Sequence, residues 1–433
     1  MVRIIGIRHR VKKTAENESR PTQVVILNER GDQIADYELA DEQAELDFAR
    51  GVFPVSFRVL RNDERITDIP VRHLKLKKLK AGQEAREDRI VRDGKDRSVA
   101  VKIADAFDGL KSGDRVAMIL GGSGDCFALA LARRGEDIGA SVHRISPANL
   151  LDRRGDASKG QDAELLANLL IRDPDTFYPL RSRDAQIIRI REAFRSRIDV
   201  MKDRIACEQR LRQRLVGQIF CRPDGNFPEG AIEKMYDEAK ANDLIYKTLC
   251  KEEAAREREL EKVVEASGVW EHVLGHVEGM GSKIASRIIA SVVDIRRMRS
   301  KEVFKAFAGV HVLPGGKFAR RRNGQQSNWN PDVRQALYLL GDQMNRRPDS
   351  YWGQKLRANK THFRRVHPET IIVDGVKRYN DMHIHNMALW RTFTQFAMWL
   401  YREWSRFERD PAGFKLDPYY PAQAVMESRR KAA

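Results

Sequence analysis

Cysteine is scarce in this chain of 433 residues, which has four: Cys126, Cys207, Cys221 and Cys250. Their wide separations match neither a disulfide framework nor a paired zinc site, so we interpret them as reduced structural thiols. Long apolar runs are also missing, since none approaches the roughly 20 residues that span a bilayer. The first residues, MVRIIGIRHRVKK, lack a signal-peptide core. The sequence therefore predicts a cytoplasmic protein with no membrane association.

Acidic residues are too few to balance the basic ones. The chain has 79 Lys and Arg against 62 Asp and Glu, a formal net charge of +17. This excess favours polyanionic partners, above all nucleic acid. A heavily solvated surface on long helices is the alternative, because 33% of the residues are charged. The length is typical of about two to four domains.

Residues 1–178 show the pattern of an α/β domain. The strands IIGI, VVIL and IADYEL are separated by polar turns, which predicts three consecutive antiparallel strands. After residue 98 we predict a helix at VAVKIADAFDGL, a strand at RVAMIL, a helix at CFALALARRG, a strand at ASVHRIS and a helix at QDAELLANLL. A sheet that turns parallel after an antiparallel start, with flanking helices, is typical of the RNase H or RuvC class.

A charge-dense stretch interrupts this pattern at about residues 50–100. It lacks sustained periodicity, so we predict a partly flexible insertion. Its lysines could contact phosphate or simply form a solvated face: Lys75, Lys77, Lys78 and Lys80.

Residues 179–268 are predicted to form a helical coiled-coil hairpin. Apolar residues recur at helical spacing from Ile187 to Leu215, opposite a face rich in arginine, and FCRPDGNFPEG separates them from a second helix at roughly 230–267. The pattern fits either an antiparallel hairpin within one chain or a dimerising coiled coil.

Residues 269–345 are predicted to form a small basic domain. Gly279 and Gly281 precede an amphipathic helix with Ser282 as its N-cap and Lys283 after it. Glycines there let a DNA phosphate approach the free N–H groups of the helix, as in helix-hairpin-helix motifs. Between residues 296 and 322 a single acid, Glu302, stands among nine cations: Arg296, Arg297, Arg299, Lys301, Lys305, Lys317, Arg320, Arg321 and Arg322.

The loop GGKFARRRNGQQSNWN then leads into another helix, with Arg334 in its first turn. Phosphate positioning is the expected role of these cations. Residues 346–433 are predicted to be a C-terminal helical segment. In its helix NMALWRTFTQFAMWLYREW the aromatic residues have the spacing of a core stripe, and we interpret His383 and His385 as structural because a helix places them on different faces.

Several of these segments resemble one known family, the insertion sequence one-ten transposases, which include the Piv/MooV-type DNA invertases. VEGMGSKIASRIIASV resembles the family's glycine turn and helix, KAFAG its "A-x-A-G" element, and Arg334 to Leu337 its Arg-x-x-Leu helix. SVHRISPANL and KGQDAELLANLL resemble the last strand and helix of its RuvC-like domain. The resemblance covers most of the chain, in the family's order and spacing.

The resemblance implies a RuvC-like domain that holds Mg²⁺ with four carboxylates and a serine that attacks DNA. This chain departs from that pattern, with Arg8, Gly121 and Lys159 where the family has carboxylates and Asp162 as the one that remains. Asp125 and Asp156 are nearby, but at shifted positions. Ser327 is the candidate for the serine. A cation at a ligand position repels a metal, so Mg²⁺ is expected only if the protein is catalytic.

Together these features predict a transposase or invertase relative that binds DNA, and a structured RNA as family members do, as a homodimer or homotetramer. Two rival hypotheses stay open. One is a domesticated, catalytically inactive relative that regulates through nucleic-acid binding. The other is an RNA-binding structural component.

Overall fold

The computed structural model describes residues 2–11, 19–67, 69–79, 85–93, 96–120, 124–155, 158–180, 182–226, 228–313, 318, 329–373 and 375–417. The chain forms two compact units, Met1–Arg181 and Ser182–Ala433.

The first unit combines strands and helices. In chain order its elements are β1 (Ile4–Arg8), β2 (Thr22–Leu27), β3 (Gln33–Leu39), α1 (Glu42–Arg50), β4 (Phe53–Val59), β5 (Leu74–Lys78), β6 (Ile90–Asp93), β7 (Asp96–Asp108), β8 (Arg115–Ile119), α2 (Asp125–Ile138), β9 (Ser141–Ile145), α3 (Pro147–Arg154), α4 (Asp162–Arg172) and β10 (Phe177–Pro179).

A six-stranded sheet with the order β10-β9-β8-β1-β2-β3 forms the centre of this unit. β1, β2 and β3 pair antiparallel, whereas β8 runs parallel to β1 and β9 parallel to β8. The predicted mixed sheet is thus confirmed. α4 packs directly against β1 because Gly6 has no side chain, and a Cβ there would overlap the carbonyl oxygen of Ala163. The N-terminus of α4 is thereby brought to the sheet.

The charged stretch after residue 50 is an ordered sheet in its described part. β7 pairs with β4, β5 and β6 around a small core of Leu60, Leu74 and Ala100. The helix predicted at VAVKIADAFDGL is therefore wrong, since β7 covers most of it. Val99, Val101 and Ile103 favour a strand, and pairing with three partners satisfies its backbone. Lys80 lies outside the described residues, and phosphate contact by the other lysines stays a prediction.

The second unit is mainly helical. Its elements are α5 (Ser182–Phe220), α6 (Ile232–Asn242), α7 (Leu244–Glu265), α8 (Gly268–His272), α9 (Ser282–Val292), α10 (Lys301–Phe307), α11 (Pro331–Arg346), α12 (Tyr351–Val366), β11 (Ile371–Val373), β12 (Val376–Arg378) and α13 (Asp381–Arg409).

α5 packs antiparallel against α7 within the chain. Arg197 and Arg204 of α5 both form ion pairs with Glu253 of α7, and Arg212 pairs with Glu233 of α6. The predicted second helix is interrupted at Asp243, whose side chain accepts a hydrogen bond from the Tyr246 backbone and caps α7. This geometry is that of the intramolecular hairpin, one of the two arrangements that the sequence left open.

One hydrophobic core joins α5, α7 and the helices that follow them. Phe393, Phe396 and Trp404 of α13 are at most 1% exposed, which confirms that the aromatic stripe is core. Within the described residues no helix combines the length and the apolar character needed to cross a membrane.

Candidate functional site

Asp162, the acidic residue that the family resemblance singles out, is held by an arginine. It is the first residue of α4, and its carboxylate accepts two hydrogen bonds of 2.8 Å from Arg154, at the end of α3. Both side chains are largely buried, at 5% and 13% exposure. Both carboxylate oxygens of Asp162 therefore pair with a guanidinium, whose positive charge opposes a metal cation at this carboxylate.

A second guanidinium lies near this pair, on Arg8 at the carboxyl end of β1. Burial lowers the pKa of Arg8, Arg20 lowers it further, and attraction to Asp162 opposes the change. The Arg8 Nε is buried without a hydrogen-bond partner in the described structure. Asp162 thus lies beside Arg154 and Arg8, while Arg20 and Glu38 also interact with Arg8. The two guanidinium groups next to Asp162 oppose the binding of a divalent cation there.

The other acidic candidate with described geometry, Asp125, is also paired with arginine. It begins α2, is fully buried, and accepts a hydrogen bond of 3.1 Å from the buried Arg144 of β9. Gly121 and Asp156 lie outside the described residues, and Lys159 is exposed in the turn before α4. Among the described residues, no group of three His, Cys, Asp or Glu side chains is placed to hold a metal ion.

Sequence reasoning missed Glu45, a buried carboxylate beside the end of β1. It accepts a hydrogen bond of 2.6 Å from Thr22 and lies 3.2 Å from Nε2 of His9. Although burial raises its pKa, bonds from His9 and Thr22 and the charge of Arg10 lower it overall. The sequence signal for α1, the helix that carries Glu45, was Asp41, which caps the N-terminus of that helix.

The glycine turn before α9 has the predicted form, with one correction. Gly281 is the N-cap and Ser282 the first helical residue, because the Gly281 carbonyl accepts the bonds from Ile284 and Ala285. Gly279 has a φ of +82°, and a Cβ at this position would lie 2.7 Å from the Cβ of Gln343. A Cβ at Gly281 would instead meet open space. This helix terminus is therefore accessible from outside.

The cations around α9 have different surroundings. Lys283 is 61% exposed and paired with Glu257. Arg296 is partly buried, at 16% exposure, between Asp294 and Asp184, and although burial lowers its pKa, these carboxylates raise it overall. Its contacts are those of an internal ion-pair network. The guanidinium of Arg297 lies 5.2 Å from the ring centre of Phe307.

Arg334 is stacked between two indole rings. Its guanidinium lies 4.3 Å from the ring centre of Trp329 and 4.6 Å from that of Trp390. Burial lowers its pKa, and a hydrogen bond with Tyr338 opposes this. Gly309, with a φ of +70°, is required beside it, since a Cβ there would lie 2.8 Å from Trp329. This arrangement of Arg334 between Trp329 and Trp390, here called the Arg334 clamp, stabilises the chain where the basic loop ends and α11 begins.

The remaining predicted residues belong to that loop and lie outside the described structure: Lys317, Arg320, Arg321, Arg322 and Ser327. The structure therefore groups Gly279, Gly281, Ser282 and Lys283 at one turn.

Comparison with known proteins gives one family. Residues 271–356 match the Transposase IS116/IS110/IS902 family. No curated protein matches the chain. The matched segment includes the glycine turn, α9, the basic loop and Arg334 with one of its two tryptophans, Trp329. The resemblance seen in the sequence is thereby confirmed over residues 271–356, which are similar to the transposases of this family.

Proposed function

We propose that this protein binds DNA, together with a structured RNA, in DNA transposition or site-specific recombination. The family of residues 271–356 and the excess of basic residues support DNA as the partner. The strand order of the central sheet supports a RuvC-like domain for residues 1–178. The antiparallel helices α5 and α7 support a coiled-coil hairpin, and assembly into dimers or tetramers belongs to the same proposal.

The observation that carries DNA binding is the open N-terminus of α9. Gly281 leaves room for a phosphate where the first N–H groups of the helix have no intrahelical acceptors. Lys283 adds an exposed cation in the first turn. These contacts would bind the phosphate backbone of the DNA and position the duplex without reading its base sequence.

Replacing Lys283 tests this contact. In Lys283→Gln we expect DNA affinity to fall about fivefold at physiological salt and the salt slope of log K to shrink by about 0.9, the effect of one lost phosphate contact. Fluorescence anisotropy titrations with labelled duplex at several salt concentrations measure both. Lys202→Gln is the matched control, since Lys202 is also exposed on a helix beside an acid. Equal behaviour of the two variants would refute the contact.

A second candidate function, a non-cleaving relative, is favoured by the Arg154–Asp162 pair. The described residues around Asp162 do not fit Mg²⁺, because the Arg154 guanidinium beside Asp162 repels a cation and no further carboxylates among them complete a metal site. We expect the purified protein with Mg²⁺ and its own flanking DNA to show no metal-dependent strand breakage on a sequencing gel. Breakage that Asp162→Ala abolishes, while Asp175→Ala retains it, would contradict this candidate.

An RNA of fixed sequence that co-purifies, with no DNA retained at physiological salt, would instead support an RNA-binding structural component and overturn DNA binding.

A further inference from the structure

Helix α12 carries cations and no acidic residue. Its sequence, YWGQKLRANKTHFRRV, contains five Lys or Arg: Lys355, Arg357, Lys360, Arg364 and Arg365. Arg357, Lys360 and Arg364 share one face, being three and four residues apart. Over residues 351–380 there are seven Lys or Arg against two acids. Such a surface attracts a polyanion.

A cavity of 680 Å³ lies at the C-terminal end of α12. Lys360, Arg364 and Arg365 line it with His385 of α13, and Asp381, the acidic residue of the lining, is paired with Arg364 at 2.5 Å. Burial and the neighbouring Arg357 lower the pKa of Lys360. A group whose charge is disfavoured in this way gains from the arrival of an anion.

The ribbon β11–β12 follows this cavity and is exposed on both faces. Ile371 pairs with Arg378 and Ile372 with Lys377, so each face presents one aliphatic and one basic side chain. Ile371 is 44% and Ile372 70% exposed. Since a two-stranded ribbon alone is marginal in water, a ribbon that the described residues leave this exposed is suited to contact with a partner.

The base of the ribbon is held in place. The ring of Tyr379 stacks on His367 at 3.8 Å and on His383 at 5.3 Å, and Arg364 donates a hydrogen bond of 3.0 Å to the Tyr379 carbonyl. These contacts fix the ribbon relative to α12 and α13, so the basic helix and the ribbon can engage one ligand together.

We propose that α12, its cavity and the β11–β12 ribbon form a second interface for duplex DNA, separate from the glycine turn before α9. The phosphate backbone lies against Lys360 and Arg365, which both line the cavity, and the ribbon enters the major groove, which admits a two-stranded ribbon. Ile371 and Ile372 provide apolar contacts of the kind that thymine methyl groups accept. Most of this surface follows the matched family segment, which ends at residue 356. The inference rests on the proposed DNA binding.

The test compares Lys360→Gln/Arg365→Gln with Lys202→Gln/Arg134→Gln, which removes the same charge from exposed helical positions. For the first variant we expect affinity for labelled duplex DNA to fall roughly 20- to 30-fold at physiological salt and the salt slope to shrink by about 1.8. The control pair should stay near wild type. For Ile372→Ser we expect an unchanged salt slope and a weaker preference of the protein for one duplex sequence over another. Circular dichroism verifies that each variant is folded.

The outcomes separate the two proposals. If Lys283→Gln weakens binding but Lys360→Gln/Arg365→Gln does not, DNA binding stands and the second interface is overturned. If the wild-type protein retains no duplex at low salt, both fail. An equal loss for single-stranded RNA of the same length would overturn the assignment to duplex DNA.

Discussion

Reversing the charge of Arg320, Arg321 and Arg322 to Glu should abolish most DNA affinity. Removing three phosphate contacts lowers affinity about a hundredfold at physiological salt and flattens the salt slope by about 2.7, and the new negative charges add repulsion. The reason is electrostatic, because these arginines stand in a stretch of nine cations and one acid. Anisotropy titrations between about 50 and 200 mM salt measure both quantities.

The control for this variant is a triple reversal at Lys202, Arg134 and Lys234, all exposed on helices outside the matched segment. It changes the net charge equally, so a general effect of charge would appear in both proteins. An unchanged salt slope in the Arg320–Arg322 variant would refute the loop as a DNA contact.

Arg144→Met should strongly destabilise the first unit. The change leaves the fully buried Asp125 carboxylate without its arginine, and removing one partner of a buried pair costs about 3–5 kcal/mol of unfolding free energy. Denaturant unfolding followed by circular dichroism measures this cost. Arg134→Met, on the exposed face of α2, should stay within about 0.5 kcal/mol of wild type.

The double variant Arg144→Met/Asp125→Leu tests whether the loss of stability comes from the buried Asp125 charge rather than from the loss of the arginine side chain. Since replacing both partners by apolar groups removes the uncompensated charge, most of the stability should return. If Arg144→Met is as stable as wild type, the Arg144–Asp125 ion pair does not stabilise the first unit, which contradicts this prediction.

Local sequence patterns were sufficient to predict many of the strands of the first unit. Strands β1, β2 and β3 and the parallel pair β8 and β9 were predicted because strand period and turn residues lie close together in sequence. β7 was mistaken for a helix because its alternation is irregular and its stability comes from three partner strands. Such pairing is set by distant residues and outweighs local propensity.

At the candidate site, the sequence predicted the glycine turn but not the environment of its neighbours. Arg296 was predicted to contact DNA because it lies in a basic stretch, yet it is partly buried and paired with Asp294 and Asp184. Asp184 is more than a hundred residues away. Linear charge density carries no information on which cations a fold turns inward.

The basic character of the chain, the family resemblance of residues 271–356 and the cations at Arg8 and Lys159 could be read from the sequence, because composition and short motifs are recognised without a fold. The pairing of Arg154 with Asp162 and of Arg144 with Asp125, and the exposure of the β11–β12 ribbon, became known from the fold. Ion pairs and exposure depend on which segments pack together, and packing is a property of the whole unit.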